Sequence, residues 1–353
     1  MQKIKIALIL PSLAYKGPIL IAQSIVNELS DDVDFDVYYF DPIEETTFNA
    51  TTIKIDFKQK INFTKYDIVH THMLRPDLFV LIWSILGRFK SVKKISTIHQ
   101  FIDHDLKNQH PLLKAKIASF IWHFAFRKFD RLVTLNELMF TTYKDRFPNK
   151  NVVKIHNGIN DVNDDLSIPQ SDIELINEFK KDYICLGTAA QLTKNKGFHQ
   201  VIKLLAINTK LCFIIIGNGE QFISLKKMAK ENGTSDRVLF LGRRNNAKKY
   251  FKHFDIFMMT SEREGFPVAL LEAALLKIPS VCTDNSIFRN LFSENEVSFF
   301  KQDDIESLDR SVMDVYQKIH IFAENINKRY KNEYTAKNMA SKYLETYKAV
   351  INK

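Results

Sequence analysis

The 353-residue chain has few of the residues that mark several protein classes. Its three cysteines, Cys185, Cys212 and Cys282, each lie in an apolar run, and their number and spacing indicate neither a disulfide framework nor a zinc site. No apolar run reaches the roughly 18 to 20 residues that span a bilayer. The short run at residues 3–10 ends at Pro11 and lacks a small-residue cleavage site, which favours a buried strand over a signal sequence. These absences predict a soluble protein of a reducing cytoplasm.

Glycine is also scarce, with ten in the chain, and eight of them fall at the ends of predicted strands or the starts of predicted helices. In open α/β sheets that edge binds ligands, because backbone approaches a phosphate closely only where no side chain intervenes. Helix capping is the alternative for each glycine alone, but their shared placement favours a ligand cleft. The eight are Gly17, Gly158, Gly187, Gly197, Gly217, Gly219, Gly242 and Gly265.

The chain is long and apolar enough, at 45% hydrophobic residues, for two domains. Apolar strand-like runs alternate with helical patterns over residues 4–156 and again over residues 184–283. This alternation predicts an α/β fold of two doubly wound parallel sheets. Residues 160–170 break the rhythm with Asn, Asp, Ser and Pro, so we place the linker there and the domain boundary after residue 165. Beyond residue 303 the pattern predicts helices.

The net charge of +9 is concentrated in two regions. Residues 88–131 hold ten Lys and Arg against three acids, and residues 194–254 hold thirteen against three. Two basic regions in different halves favour an anionic partner for each half. An ordinary solvated, lysine-rich surface is the alternative for either region.

Two glutamates, Glu264 and Glu272, have seven residues between them and lie around the start of an apolar helix. Pro267 suits the first helical position, and residues 268–276 are apolar except for Glu272, so the helix should be enclosed by protein. A buried carboxylate needs a cation or ligand hydroxyl groups. Glu264 precedes the helix, beside free N–H groups and the positive end of the dipole, where phosphate binds. This arrangement suits a nucleotide sugar, with its ribose at Glu272 and its transferred sugar near Glu264.

This segment and its surroundings resemble the family 4 retaining glycosyltransferases. The family signature, two glutamates with seven residues between them and Gly-Phe-Pro after the first, is intact, and further landmarks follow in family order over nearly the whole chain. The resemblance implies the GT-B fold: two Rossmann-like domains facing each other across a cleft, an acceptor-side domain (1–165), a nucleotide-sugar donor domain (166–335), and a last helix (336–353) that packs back on the first domain. The landmarks are Pro11-Ser-Leu with Gly17, Asp67 to His72, Thr97-Ile-His99, Asn157-Gly-Ile159, Lys196-Gly197, Gly217-Asn-Gly219 and Val238 to Gly242.

The resemblance also implies residue roles. Glu264, His99 and Lys196 form the catalytic set: Glu264 orients the transferred sugar, His99 faces it, and Lys196 neutralises the donor diphosphate. The family usually has an arginine where this chain has Gln191, so Lys196, Lys194 or Arg243 would carry more of the phosphate charge. The donor-binding set is Gly17, Gln191, Lys196, Gly217, Asn218, Arg243, Glu264, Gly265, Phe266, Pro267, Val268 and Glu272.

Two motifs that suggest a metal are set aside. His70 and His72 alternate on one predicted strand, but no third ligand lies near them in sequence. Asp103-His-Asp105 resembles the metal-binding motif of the other major glycosyltransferase fold, yet it falls in a predicted loop of a GT-B pattern. We therefore predict no metal site and no cofactor besides the nucleotide sugar.

The sequence thus predicts a retaining, metal-independent glycosyltransferase that moves a sugar from a nucleotide sugar, with UDP-sugars favoured, to a glycan acceptor in cell-surface polysaccharide biosynthesis. The acceptor is expected to be lipid-linked, and no nucleic acid is expected as a partner. A sugar-nucleotide epimerase of the same fold and a non-catalytic protein that binds anionic surfaces are the alternatives.

One helix predicts a location. Residues 112–126 carry four aromatic residues beside four basic ones, a mixture typical of segments that meet anionic lipid. We expect reversible, salt-sensitive binding through the first domain to the inner face of the cell membrane, while a core helix whose aromatics pack on the sheet is the alternative. The residues are Phe120, Trp122, Phe124 and Phe126 with Lys114, Lys116, Arg127 and Lys128.

Overall fold

The computed structural model describes residues 3–89, 91–109, 111–160 and 167–352. The chain divides into two compact units: residues up to Asn160 together with those from Tyr334 onward, and the residues between them. Residues 161–166, part of the predicted linker, lie outside the described residues.

The first unit is built on a parallel sheet of seven strands among the described residues, in the order β3-β2-β1-β4-β5-β6-β7. Strand β2 and the edge strand β3 are absent from the predicted alternation, because β2 carries Asp34 and Asp36 at alternate positions and β3 is short and mostly exposed. The strands are β1 (Ile4–Leu10), β2 (Val33–Tyr39), β3 (Thr51–Lys54), β4 (Ile68–His72), β5 (Lys93–Thr97), β6 (Arg131–Thr134) and β7 (Asn151–Lys154).

Helices connect these strands, and local caps set where several begin. Asn136, for example, accepts a hydrogen bond from the Met139 N–H at 2.8 Å and caps the helix that follows β6. The predicted loop at Asp103-His-Asp105 is wrong: these residues lie in a helix, α3. The helices are α1 (Gly17–Glu28), α2 (Leu74–Ile85), α3 (Ile102–Gln109), α4 (Leu112–Phe126) and α5 (Glu137–Arg146).

The second unit repeats the design with a six-stranded parallel sheet in the order β10-β9-β8-β11-β12-β13. Its strands are nearly all buried, so their apolar runs predicted them well, apart from the three-residue β13. The strands are β8 (Ile184–Ala189), β9 (Leu211–Ile216), β10 (Val238–Gly242), β11 (Ile256–Met259), β12 (Ser280–Thr283) and β13 (Ser298–Phe300); the helices are α6 (Gln170–Lys180), α7 (Phe198–Ile207), α8 (Phe222–Glu231), α9 (Val268–Leu275), α10 (Ser286–Leu291), α11 (Ile305–Gln317) and α12 (Ile319–Glu333).

The last helix, α13 (Ala336–Ile351), belongs to the first unit, where it packs against α1. Its side chains reach the sheet: the Tyr343 hydroxyl lies 3.1 Å from Thr97 Oγ1, and Arg131 Nη1 donates to the Thr346 carbonyl at 3.1 Å. Among the described residues, none of the helices combines the length and apolar character needed to cross a bilayer.

Candidate functional site

The predicted donor-binding residues of the second unit gather along one edge of its sheet. Gln191 and Lys196 follow β8, Gly217 and Asn218 follow β9, Arg243 follows β10, and residues 264–268 follow β11. All four strands are parallel, so their carboxyl ends share an edge. The connections reverse direction between β8 and β11, and open α/β sheets bind ligands beside such a switch point. The sheet order therefore assembles residues that are far apart in the sequence.

Lys196 and Glu264 meet directly at this switch point. Lys196 Nζ donates to Glu264 Oε1 at 2.6 Å, and both side chains are mostly buried, with 21% and 13% exposed. The sequence assigned the two residues to different parts of the donor and did not predict their pairing. The pair brings an ammonium group and a carboxylate together, and groups of these two kinds form strong hydrogen bonds with phosphates and hydroxyls.

A set of polar contacts holds the two loops that carry this pair. The Thr260 hydroxyl donates to the Lys196 carbonyl at 2.7 Å, and Asn195 Nδ2 donates to the Arg263 carbonyl at 2.8 Å. The Glu262 N–H returns a bond to the Asn195 carbonyl at 2.9 Å. Sequence reasoning assigned no role to Asn195 or Thr260, although Thr260 directly follows the buried strand β11 and Asn195 lies in the loop after β8.

The glycines at this edge are required by close packing within the unit. Gly197 has φ +66°, and a Cβ there would lie 2.3 Å from the Thr260 carbonyl oxygen. A Cβ on Gly217 would lie 1.9 Å from the Ala190 carbonyl oxygen, and one on Gly219 would lie 2.4 Å from that of Leu192. These contacts explain the glycines without a ligand, so their placement positions the loops rather than marking a phosphate contact by itself.

Helix α9 begins beside the ion pair. Pro267 is its N-cap and the helix starts at Val268, one residue later than predicted. The N-terminal N–H groups are less free than the sequence suggested, because the Val268 N–H already donates to the Phe266 carbonyl at 3.0 Å. Phe266 and Pro267 are buried, whereas Gly265 and Val268 are partly exposed. The start of α9 therefore offers an anion the positive end of the helix dipole rather than a set of unused N–H donors.

Glu272 lies in the second turn of α9 and is partly buried. No described residue hydrogen-bonds its carboxylate, and Lys248 is the charged group that favours its ionised form. Burial raises the pKa of Glu272 to about 7. A partly buried carboxylate that no described residue hydrogen-bonds is suited to accept hydrogen bonds from hydroxyl groups of a ligand.

The remaining donor residues lie at the rim. Gln191, Asn218 and Arg243 are exposed, while Arg244 is held by Asp172 through two bonds of 2.9 and 3.1 Å. Arg244 is thus held by an ion pair within the unit, whereas the Arg243 side chain is exposed to solvent.

In the first unit, His99 lies two residues beyond β5 rather than at the strand's end, and it contacts a second histidine. Its Nε2 is 2.8 Å from His72 Nδ1, while His70 Nε2 lies 2.8 Å from Thr97 Oγ1 and its Nδ1 lies 2.9 Å from the Tyr347 hydroxyl. Burial lowers the pKa of His70 and of His99 to about 3, so these rings are neutral near pH 7. Gly17 opens α1 in the same unit.

Asp103 is occupied by other side chains: it accepts from Arg146 Nη1 at 2.5 Å and from the Ser119 hydroxyl. Among the described residues, histidines, cysteines and carboxylates form no group suited to hold a metal ion.

Comparisons with known proteins agree with this geometry. The model of glycosyltransferase family 4 matches residues 27–162, and that of the group 1 glycosyl transferases matches residues 170–339. The O-antigen biosynthesis glycosyltransferase WclY of Escherichia coli is 28% identical over 97% of this chain and 98% of its own. The UDP-Gal:alpha-D-GlcNAc-diphosphoundecaprenol alpha-1,3-galactosyltransferase of Escherichia coli is 26% identical over 82% of this chain and 77% of its own.

Among solved structures, Anabaena HepE in complex with UDP and glucose superposes with a TM-score of 0.79 at 17% identity, covering 98% of this chain and all of that one. Two Rossmann-like parallel sheets of seven and six strands are the GT-B fold, and the family models that match both parts of the chain make it a glycosyltransferase. Within that class, the chain belongs to the family 4 retaining glycosyltransferases.

Proposed function

We propose that the protein transfers a sugar from a UDP-sugar to a lipid-linked glycan, with retention of anomeric configuration, in the synthesis of a cell-surface polysaccharide. The Lys196–Glu264 pair carries the proposal, because it sets a cation and a carboxylate together at the switch point beside α9. The names of the two relatives, one an O-antigen enzyme and one a UDP-galactose transferase acting on a lipid diphosphate, support the donor and acceptor classes.

In the donor complex, the diphosphate lies at Lys196 and the start of α9, while Glu272 accepts hydrogen bonds from the ribose hydroxyls. Gln191, Gly217, Asn218 and Arg243 line the route of the phosphate and base, and residues 265–268 present backbone to the diphosphate. Lys196 turns toward the phosphate oxygens when donor binds. Glu264, released from its partner, then accepts hydrogen bonds from hydroxyls of the transferred sugar.

The chemistry follows a front-face path. The bond between the anomeric carbon and the diphosphate oxygen breaks, and the acceptor oxygen bonds to the anomeric carbon on the same face. The acceptor proton passes to the departing diphosphate. Negative charge grows on that diphosphate in the transition state, where the Lys196 ammonium group stabilises it more than in the ground state.

The acceptor side belongs to the first unit, where we propose that neutral His99 hydrogen-bonds a sugar hydroxyl. We further propose a cytoplasmic protein held at the inner face of the membrane, because its lipid-linked acceptor is found there. The reaction needs no divalent metal, since Lys196 and the α9 dipole supply the positive charge; activity in EDTA tests this part.

Donor binding is tested by thermal unfolding with UDP-sugars and GDP-sugars. A UDP-sugar at a hundredfold excess over its Kd should raise the Tm by roughly 5 °C or more, because ligand stabilises only the folded state. Glu272→Gln should reduce the shift, and the exposed Glu262→Gln is the matched control that should keep it. No shift with any nucleotide sugar would contradict the proposal, and a shift with GDP-sugars alone would correct the donor.

A further inference from the structure

Helix α4 of the first unit presents apolar side chains to solvent. Nine of the sixteen large hydrophobic side chains that are exposed in the described part of the chain lie on α4 or at the end of α2. Phe120 and Leu113 are 73% and 72% exposed. Such clustering marks an interaction surface, since single exposed hydrophobic residues are ordinary but contiguous ones are not. We call this surface the α4 face; its main residues are Leu113, Ile117, Phe120 and Phe124 on α4, with Ile85 and Leu86 from the end of α2.

The fold does not require this face, because α4 is anchored by its opposite side. Trp122 and Phe126 point inward and are buried, and Trp122 Nε1 donates to Asp77 Oδ2 at 2.7 Å. The four aromatic residues of this helix therefore divide between its buried side and its exposed side. Trp122 and Phe126 hold the helix on the unit, which leaves Phe120 and Phe124 available to a partner.

The charges around the α4 face indicate which kind of partner it binds. Lys114 and Lys116 are exposed on α4, Arg127 and Lys128 follow its last turn, and α4 contains no acidic residue. The Arg127 guanidinium lies 5.7 Å from the centre of the Phe124 ring, so charge and apolar surface are contiguous. A second copy of the chain, docked through the same face about a two-fold axis, would set these cations against one another. An anionic lipid surface satisfies both features, because apolar side chains enter the acyl region and basic ones meet the head groups.

We propose that the α4 face inserts into an anionic bilayer, with Leu113, Ile117, Phe120 and Phe124 below the head groups and the basic residues among them. The proposal deepens the membrane location given above by naming the surface. Insertion of the α4 face does not itself require the proposed function; the lipid-linked acceptor only gives the reason for binding a membrane.

The test is sedimentation of the full-length protein with vesicles of phosphatidylcholine, with and without phosphatidylglycerol, at low and high salt. Wild-type protein should bind the mixed vesicles, less at high salt and only weakly without phosphatidylglycerol. The double variant Leu113→Asn, Phe120→Asn should lower the partition coefficient about tenfold or more, because two large side chains leave the bilayer. The matched control is Ile207→Asn, Ile223→Asn, which removes two exposed isoleucines from the second unit and should bind like wild type.

A triple variant of Lys116, Arg127 and Lys128 to Gln should lose the preference for phosphatidylglycerol. Equal binding by wild type and the α4 double variant, or no binding by wild type to either vesicle, would overturn the proposal. A concentration-dependent dimer that the double variant abolishes would replace it with a second copy as occupant. Thermal shifts with nucleotide sugars, measured on the same proteins, separate the two proposals. Vesicle binding without a thermal shift would contradict the proposed function alone. A thermal shift without vesicle binding would contradict this inference alone.

Discussion

At the scale of single residues, the pairing of Lys196 with Glu264 could not be predicted from the sequence. Sixty-eight residues separate them, and only the order of β8 and β11 brings them together. Residue types and their positions identified each as a candidate, because a lysine and a glutamate that each precede a helix suit phosphate and sugar. We propose that this contact is broken when donor binds.

Lys196→Ala should lower kcat by roughly a hundredfold and raise KM less, because the ammonium group acts mainly on charge that develops in the transition state. Lys203→Ala, at an exposed lysine of the neighbouring helix α7, is the matched control and should stay near wild type. Steady-state kinetics on the donor check both variants. A folded Lys196→Ala enzyme with wild-type kcat would remove the residue from the mechanism.

Glu272 predicts a pH dependence of donor binding. Its pKa is raised to about 7 by burial, so the carboxylate is mostly protonated below pH 7, while ribose hydroxyls donate best to the ionised form. The Kd of a UDP-sugar, whose diphosphate keeps its charge throughout, should fall as pH rises from 6 to 8, by up to about tenfold per unit below the pKa. Calorimetric titration should show this slope flattened in Glu272→Gln. A variant that keeps the wild-type slope would exclude the ribose role.

At the scale of elements, the sequence predicted buried strands and amphipathic connections well and misjudged the exposed ones. Strands β2, β3 and β13 were missed, since β3 and β13 are short edge strands and the acidic residues of β2 interrupt its apolar signal. The loop expected at Asp103 is a helix. For α4, the composition gave a helix but not which aromatic residues face outward, because packing on the sheet decides that.

Two glycines offer a matched test of how the site loops are held. Gly197 and Gly233 have nearly the same left-handed φ, +66° and +64°, but a Cβ on Gly233 has nothing within 4 Å, whereas one on Gly197 meets the Thr260 carbonyl. Gly233→Ala should therefore cost about 1 kcal/mol of unfolding free energy. Gly197→Ala should cost several times more and lower kcat, because it pushes the Lys196 turn away from the 260–264 loop. Urea unfolding and kinetics check this, and equal costs for the two variants would contradict it.

At the scale of the whole molecule, the buried histidines predict sensitivity to acid. Burial lowers the pKa of His70, His72, His99 and His123, so the unfolded chain binds protons near pH 6.5 that the folded chain does not. Asp77 acts in the opposite direction, since its pKa is raised to about 7 and the folded state takes up its proton first. In the first unit, these four groups against one leave a net loss of stability as pH falls from 6.5 toward 4.5, up to about 4 kcal/mol per pH unit.

Thermal unfolding at pH 7.5, 6.5 and 5.5 checks this slope for the first unit. His123→Phe should reduce this dependence of Tm on pH, because it removes a group whose pKa is lowered to about 4. Phenylalanine suits the position, since the His123 ring already packs against Phe126 and Phe147. The exposed His320→Gln is the control and should leave the slope unchanged. A Tm that rises on acidification would contradict the account of these buried rings.

The alternation of strands and helices predicted the class of fold, but no local sequence pattern predicts how the site is assembled. The return of α13 onto the first unit is an example: Gly158 leaves room for the Thr335 carbonyl, which would lie 2.2 Å from a Cβ, and Tyr347 reaches His70 across 277 residues. Such contacts depend on chain topology, which the resemblance to a family conveys and hydrophobic periodicity does not.

The central claim is sugar transfer from a nucleotide sugar by the site around Glu264. Proton NMR of each UDP-sugar incubated with protein, without acceptor, follows the anomeric signals as water takes the acceptor's place. The account predicts slow release of UDP and of sugar that first appears in the donor's own anomeric configuration, lost in Glu264→Gln and kept in Glu262→Gln. Release of the opposite anomer, conversion of the donor to an epimer, or equal turnover by Glu264→Gln would contradict it.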